Sequence, residues 1–481
     1  MLRLAWPIVV FQLLQVSYNL ADTLWLGQLS ADAVGAISLA FPLVFFLIAF
    51  AAGFTTAGSI LVAQYTGAES DESAGLFAGQ TMAFVGILAC VLGIVGYFYT
   101  GPALGLLPSG AATEERVIPL AADYMRIFFL GLPFLFGFYV FEAVMRGYGD
   151  TRLPMRLMLV SVVINVAIDP FLIFGFDENP LFAWLSLGGL EATLFAATGF
   201  TGYGIEGAAI ATVFSRGVAS AIAFYVLFAT DMGPDVALSH LKPDPANVWE
   251  ITRLGLPTSL EQSANALALV VLTAMVVSFA PPVVAAYGLG TRLISLVFLP
   301  ALGLSKATET IVGQNLGAGR PDRAGRAVGL SAAAAGGMLL LVAVVAVVLA
   351  RPINAVFIGA ETEGAAETVT LATEYLRIRS VEFAFIGVMQ VVLGGFRGAG
   401  NTKTAMALSW LNLWGVRVPA VYLLAFVAGW GATGIWVGMS LGHIVGAVVA
   451  GSWFLRGTWR ESIVDDERAE STGVDPASGE E

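Results

Sequence analysis

Four polar side chains recur along the first apolar segment, and one of them is a carboxylate. Spacings of three, four and three residues separate Gln12, Gln15, Asn19 and Asp22. In a helix this spacing places them on one face. An ionisable group at membrane depth is costly and marks a functional site by default. We therefore interpret Asp22 as a candidate cation ligand and Asn19 as a candidate substrate contact.

A second carboxylate stands in a similar setting further along the chain. Met158, Asn165 and Asp169 follow one another at spacings of seven and four residues and share one helical face. Pro170 comes next, and because proline has no N–H, the carbonyl of Val166 loses its helical donor. Carboxylate, amide and carbonyl oxygens suit Na⁺, whereas a carboxylate removed from water can instead hold a proton. The sequence does not choose between the two ions. A purely structural role, in which the carboxylates only make interhelical hydrogen bonds, is a further alternative.

The composition predicts that these residues lie in a membrane. Of 481 residues, 57% are hydrophobic and only 12% are charged, and apolar stretches of the about 20 residues that a spanning helix needs recur throughout. One cysteine and two histidines exclude an intramolecular disulfide and a His/Cys metal cluster. No phosphate-binding glycine loop, dinucleotide fingerprint or nucleophile elbow is present. We expect no enzyme activity and no cofactor.

The second half of the chain repeats the first. Residues 64–68 align with 314–318 at an offset of 250, and residues 146–151 align with 397–402 at an offset of 251. Each copy contains six apolar spans, so both copies enter the membrane from the same side and are related by an axis along its normal. The Arg-Gly-x-Gly segment in each copy is interpreted as a helix end, with the arginine facing the helix dipole and the cytoplasm.

We predict an all-α polytopic membrane protein with 12 transmembrane helices in two pseudo-symmetric six-helix bundles. The N-terminal lobe spans residues 1–230 and contains an insertion at about 176–203, predicted to be an external loop or an interfacial helix. A cytoplasmic linker (231–249), a C-terminal lobe (250–456) and a disordered acidic cytoplasmic tail (457–481) follow. Basic residues concentrate at the span ends on the side of both termini, which predicts that both termini are cytoplasmic.

The two copies differ in their ionisable residues. Asp22 aligns with Leu272, and Asp169 aligns with Ala420. Ion coupling is therefore predicted for the N-terminal lobe alone.

The seventh span offers other polar residues. Glu261 and Gln262 can line the cleft or bind substrate, although Glu261 can equally be a carboxylate reaching the interface near a helix start. Pro7 and Pro257 occupy matching positions in the two copies. They are either bend points for alternating access or favourable first-turn prolines.

These motifs resemble the multidrug and toxic compound extrusion (MATE) transporters, with the greatest similarity to the prokaryotic DinF-like branch. The resemblance covers the chain except its tail. It is carried by the patterns Pro7…Gln15…Asp22-Thr-Leu-Trp25, Gln64-x-x-Gly67-Ala68, Arg146-Gly-x-Gly149-Asp-Thr151, Asn165-x-x-x-Asp169-Pro170 and Gly255-Leu-Pro257…Glu261-Gln262.

The resemblance implies a V-shaped, two-lobed exporter in the cell membrane. Such a protein uses an inward Na⁺ or H⁺ gradient to expel amphipathic, often cationic drugs or metabolites by alternating access. We expect it to act as a monomer, without nucleic-acid partners. The family's cation site corresponds here to Asp22, Asn165, Asp169 and Thr212. Its substrate-lining positions correspond to Gln15, Tyr124, Glu142 and Met158.

The nearest alternative is a flippase for lipids or lipid-linked oligosaccharides of the same superfamily. Such a flippase is expected to have a strongly basic cleft for pyrophosphate, whereas the cleft predicted here is acidic to neutral. A membrane receptor or enzyme would need a signalling domain or a catalytic constellation, and the sequence shows neither.

Overall fold

The computed structural model describes residues 2–105, 111–358 and 364–464, and nearly all of them are helical. A 3₁₀ turn covers Leu238–Leu241, and two π-helical segments cover Leu411–Arg417 and Leu423–Val427. The α-helices are α1 (Leu2–Leu29), α2 (Ala31–Gly67), α3 (Asp71–Leu104), α4 (Ala111–Tyr148), α5 (Arg152–Phe174), α6 (Pro180–Trp184), α7 (Gly188–Thr198), α8 (Ile205–Ala229), α9 (Pro245–Val277), α10 (Pro281–Gly317), α11 (Pro321–Val348), α12 (Ala350–Phe357), α13 (Ala365–Ser380), α14 (Phe383–Gly398), α15 (Thr402–Trp410), α16 (Val418–Tyr422) and α17 (Gly431–Phe454).

Within the described residues, eleven helical stretches are long and apolar enough to cross a membrane. The tenth crossing is divided between α13 and α14, which meet at a break around Glu382. Counting this pair as one crossing gives twelve, six in each half of the chain. The predicted all-α architecture of two six-helix bundles is therefore confirmed.

Local sequence explains where several of these helices begin and end. Asp244 caps α9, because its Oδ1 accepts hydrogen bonds from the backbone N–H groups of Ala246 and Asn247. At the other end of a span, Gly149 and Gly400 have φ of +108° and +80°. Only glycine adopts such values readily, so the glycines of the repeated Arg-Gly-x-Gly segment end α4 and α14.

The arginines of that segment do not face the cytoplasm as predicted. Arg146 is 3% exposed, and its Nη1 donates to Oε1 of Glu309 at 3.0 Å. The Nη2 of Arg397 lies 2.5 Å from Oε1 of Glu261. In both cases an acidic side chain on another helix draws the guanidinium inward.

The first helix of each lobe begins against the opposite lobe. Near the start of α1, Ala5 and Ile8 belong to the same hydrophobic cluster as Leu304 and Ala307 of α10. The first half of α9 packs in the same way against α2, where Ser259 donates its hydroxyl to the carbonyl of Phe50 at 2.7 Å. The first helix of each lobe, α1 or α9, therefore packs against the other lobe.

The lobes approach most closely where α2 and α10 end, and the repeated Gln-x-x-Gly segment makes the contact. Gln64 donates to the carbonyl of Gly398 at 3.1 Å, and Gln314 donates to the carbonyl of Gly147 at 3.0 Å. A Cβ atom on Gly67 would clash with the backbone carbonyl of Gln314. We call this junction, formed by residues 64–67 and 314–317, the closed end.

The insertion forms the short helices α6 and α7, each too short to cross a bilayer. Trp184 of α6 stacks on Trp25 of α1, with ring centroids 5.0 Å apart. Asn179 is 1% exposed and donates to the carbonyls of Pro170 and Gly175 at 2.8 Å. The insertion is thereby tied to the ends of α1 and α5.

The start of the predicted tail is packed rather than disordered. Trp459 is 2% exposed and stacks on Phe454, with ring centroids 4.5 Å apart. The backbone N–H of Ile463 donates to Oε1 of Gln64 at 2.9 Å. The tail prediction is therefore wrong for residues 457–464, which cover the closed end, and residues 465–481 lie outside the described chain.

Adding one methyl group at the closed end should destabilise the protein. Gly67→Ala forces a Cβ against the Gln314 backbone and should cost about 1–3 kcal/mol. Gly337→Ala is the matched control, because a Cβ there has open space and alanine is the better helix former. Thermal unfolding in detergent should show a lower midpoint for Gly67→Ala alone; equal midpoints would contradict the close approach.

Candidate cation and substrate site

A cavity of about 710 Å³ lies among α1, α2, α4, α8 and α10. Residues that the sequence singled out on α1, α4 and α8 meet in this cavity. Six of the predicted site residues line it: Gln15, Asn19, Asp22, Tyr124, Glu142 and Thr212. The polar face of α1 therefore points into a cavity, as its spacing predicts.

The candidate cation ligands form a buried cluster beside this cavity. Asp22 is 4% exposed, and Asn165 and Asp169 are fully buried. Asn165 donates its Nδ2 to Oδ1 of Asp169 at 3.1 Å, and Thr212 donates its hydroxyl to Oδ2 of Asp22 at 3.4 Å. The structure thus brings together four residues from α1, α5 and α8.

Three oxygens of this cluster are left without partners. Oδ1 of Asp22, Oδ1 of Asn165 and Oδ2 of Asp169 accept no hydrogen bond from any described residue. Buried acceptors without donors are costly. Three such oxygens suit a hard cation, and the two carboxylates can alternatively hold a proton.

Arg216 is a cavity residue that the sequence analysis missed. It lies four residues after Thr212 on α8, is 1% exposed, and lines the cavity. Its Nη2 donates to Oε1 of Gln15 at 2.7 Å, and its guanidinium lies 4.7 Å from the ring centroid of Tyr18. A basic residue within an apolar span was itself a signal.

Met158 contributes to this arrangement from behind the cavity wall. Its side chain is fully buried, and its Sδ lies 2.8 Å from Nη1 of Arg216. The predicted substrate residue thus contacts the cavity arginine instead of lining the cavity.

An ion-pair network between the lobes forms the floor of the cavity. Arg146 of α4 bonds both Glu142, at 3.0 Å, and Glu309 of α10, at 3.0 Å. Lys306 of α10 lies 3.3 Å from Oε2 of Glu309 and donates to the hydroxyl of Thr56 on α2 at 3.1 Å. Two cations from opposite lobes thus share one buried carboxylate.

The charge of the cavity differs from the acidic-to-neutral cleft that the sequence predicts. Among the described residues that line it, the carboxylates are Asp22 and Glu142, and the basic side chains are Arg146, Arg216 and Lys306. The prediction was wrong because the sequence does not show that the basic residues of α8 and α10 face the same cavity. The cleft therefore carries more positive charge than expected.

Two predicted substrate residues lie elsewhere. Glu261 is 1% exposed and is engaged by Arg397, while Gln262 accepts a hydrogen bond from Nδ2 of Asn265 at 3.3 Å. Neither lines the cavity.

The two predicted bend points lie inside continuous helices. Pro7 and Pro257 are both buried within α1 and α9. Since α9 begins at Pro245, Pro257 is not a first-turn proline. A role for the two prolines in bending stays a prediction.

Two six-helix repeats beside a buried polar cavity are an arrangement typical of membrane transporters. The MatE family model matches residues 7–171 and 257–423, one segment in each repeat. The chain belongs to this family.

Several individual proteins are similar to the chain over much of its length. It is 29% identical over 437 residues to the probable multidrug resistance protein YoeA of Bacillus subtilis, covering 90% of this chain and 88% of the relative. It is 31% identical over 331 residues to a FAD transporter of Shewanella oneidensis, covering 69% and 68%. A solved outward-facing multidrug resistance MATE family transporter of the MOP superfamily matches with a TM-score of 0.80, at 25% identity and 94% coverage of both chains.

Removing the carboxylate at the cavity floor should destabilise the protein strongly. Glu309→Gln leaves Arg146 and Lys306 without their shared counter-ion, and breaking a buried pair costs about 3–5 kcal/mol. Glu250→Gln is the matched control, because its ion-pair partner Arg253 is 59% exposed and a pair open to solvent is worth about 0–1 kcal/mol. Denaturant unfolding should separate the two variants clearly; a similar loss in both would argue against a stabilising network.

Proposed function

We propose that this protein is a cation-coupled antiporter that exports amphipathic small molecules from the cell. Na⁺ or H⁺ binds at Asp22, Asn165, Asp169 and Thr212, and the substrate occupies the adjoining cavity. The observation that carries the proposal is the set of three unpartnered buried oxygens beside that cavity. The names of similar proteins, among them multidrug resistance proteins, support the substrate class.

Coupling follows from the position of Asp22. It belongs to the cation cluster and also lines the cavity, so an incoming cation changes the charge that the substrate meets. A bound cation also draws the ends of α1, α5 and α8 together around it. Both effects release the substrate when the cation enters.

The first helix carries this change to the rest of the protein. Its start, which includes Pro7, packs against α10 of the opposite lobe, and its other end carries Asp22. A shift at Asp22 therefore acts on the contact between the lobes, and Pro7 supplies the bend at which α1 changes direction.

The arrangement of the lobes corresponds to an outward-open state. If the basic residues orient the chain as predicted, the closed end is cytoplasmic and the cavity communicates with the outside. The similarity to an outward-facing MATE structure agrees with this assignment. Inward opening then requires the Arg146–Glu309 pair to separate.

Export of an anionic compound is a second candidate. The observation that favours it is the set of three basic side chains on the cavity wall. A relative that shares 31% identity is a FAD transporter, and FAD carries negatively charged phosphates. In this case Arg216 binds the anionic group between the aromatic rings of the wall.

Loss of the buried carboxylate should abolish coupling. We expect proteoliposomes to expel a fluorescent cationic dye under an imposed Na⁺ or proton gradient. Asp169→Asn should remove the gradient-driven component, because the site loses a charged ligand. Asp123→Asn, an exposed carboxylate on α4, should behave like the unmodified protein.

The gradients identify the coupling ion, because each is imposed separately. If Asp169→Asn transports normally, the proposed coupling site is wrong. If neither gradient moves any dye, the flippase alternative becomes the better interpretation.

Charge selectivity should depend on Arg216. Arg216→Gln keeps a hydrogen-bond donor but removes the positive charge, and should weaken export of an anionic dye by about tenfold while sparing a cationic dye. Arg126→Gln is the matched control, because Arg126 is exposed beside Asp123. Efflux of both dyes should be measured under the same gradient; equal losses for the two dyes would refute a role in anion selection.

A further inference from the structure

A second buried polar cluster lies in the C-terminal lobe, outside the cavity. Arg379 is 2% exposed, and its Nη2 lies 2.5 Å from Oε1 of Glu382. The Nδ1 of His443 lies 2.9 Å from Oε2 of the same carboxylate. Arg417 is half-buried and packs against α17 at Gly442, the residue before His443. Arg379 and His443 therefore contact the same carboxylate, and a second guanidinium group lies in the same region.

This cluster has more hydrogen-bond donors than acceptors. No described residue accepts a hydrogen bond from Nε or Nη1 of Arg379, Nε of Arg417, Nε1 of Trp436 or the hydroxyl of Tyr375. Arginine and tryptophan side chains can only donate, so the missing partner is an acceptor. Two acceptors in this region also lack a hydrogen bond: Oε1 of Glu382, which lies 2.5 Å from Nη2 of Arg379, and Oδ1 of Asn412. These two atoms are too few for the five donor groups.

The unpartnered donors belong to one packed region. The guanidinium of Arg379 lies 5.5 Å from the ring centroid of Tyr375, and the Tyr375 and Trp436 rings are 4.7 Å apart. The region also contains two irregularities of the fold. Glu382 stands at the break between α13 and α14, and Arg417 ends a π-helical segment. Such π-helical segments occur frequently at functional sites.

Two residues of this cluster occupy positions that match residues around the cation site of the other lobe. Tyr375 aligns with Tyr124 at an offset of 251, and His443 aligns with Arg216 at an offset of 227. In the N-terminal lobe, these positions surround two carboxylates with unpartnered oxygens. In the C-terminal lobe, they surround two guanidinium groups with unpartnered N–H groups. The region of the C-terminal lobe that carries the matching residues thus holds guanidinium groups, whereas its counterpart holds carboxylates.

We propose that the C-terminal lobe binds a small inorganic anion, chloride, between Arg379 and Arg417. Chloride accepts hydrogen bonds and neutralises the second guanidinium, which a water molecule cannot do. The burial of Arg379, Tyr375 and Trp436 favours a monatomic anion over the acidic group of a transported compound. The bound anion joins α13, α14, α17 and the π-helical segment. The proposal does not depend on the substrate or on the coupling ion.

Chloride binding should stabilise the purified full-length protein. Because a ligand that binds only the folded state raises the unfolding midpoint, replacing sodium gluconate by sodium chloride at constant Na⁺ should raise that midpoint and then saturate. Arg417→Gln should raise the chloride concentration that gives half of this stabilisation by about tenfold, as expected for the loss of one charge-assisted hydrogen bond. Arg456→Gln, which removes an arginine stacked on Trp453 outside the cluster, should respond like the unmodified protein.

A second measurement locates the anion and does not depend on the folding of a variant. Crystals of the unmodified protein grown in bromide should show an anomalous peak within hydrogen-bond distance of Arg379 and Arg417. Saturable stabilisation together with this peak would support the site. The absence of an anomalous peak there, or equal midpoints in chloride and gluconate, would overturn it and assign the position to water.

Discussion

A charge inside a membrane protein must find a partner, because the bilayer cannot solvate it, and the organisation of this molecule follows from that constraint. Its buried charges are gathered into groups where helices meet: the carboxylates of the N-terminal lobe, the ion pairs at the cavity floor, and the guanidinium groups of the C-terminal lobe. The floor network is complete, since Arg146, Lys306 and Glu309 all have partners. The other two clusters retain unpartnered atoms. Complete pairing holds the lobes together, whereas incomplete pairing leaves room for an ion.

The first helix connects these groups. It begins in the hydrophobic cluster of the opposite lobe, passes Pro7, and presents Asp22 to the cation site. One helix thus touches the lobe interface, the cavity and the coupling residues. An antiporter needs such a connection, because cation binding must change the contact between the lobes. The ninth helix repeats the crossing on the other side but carries Leu272 at the position of Asp22.

The two repeats resemble each other more in their contacts between the lobes than in their ionisable residues. Gln64 and Gln314 make equivalent contacts across the closed end, and their glycine partners permit equivalent close approach. These residues contact one another across the pseudo-symmetry axis, so a substitution in one repeat also alters the packing of the other. The ionisable clusters lie inside separate lobes and are free to diverge. The two lobes accordingly have buried clusters of opposite charge.

The sequence by itself determined the membrane setting, the two-fold repeat and the carboxylate pair, since each is recorded in composition, in spacing or in self-alignment. It also placed Gln15, Asn19 and Asp22 on one face, because helical periodicity is local. It did not show that Arg397 turns inward to Glu261, that Trp459 and Ile463 cover the closed end, or that Arg216 and Lys306 face the same cavity. These outcomes depend on contacts between residues far apart in the chain. Only the tertiary structure decided them, because the partner of a buried charge is set by how helices pack and not by its neighbours in sequence.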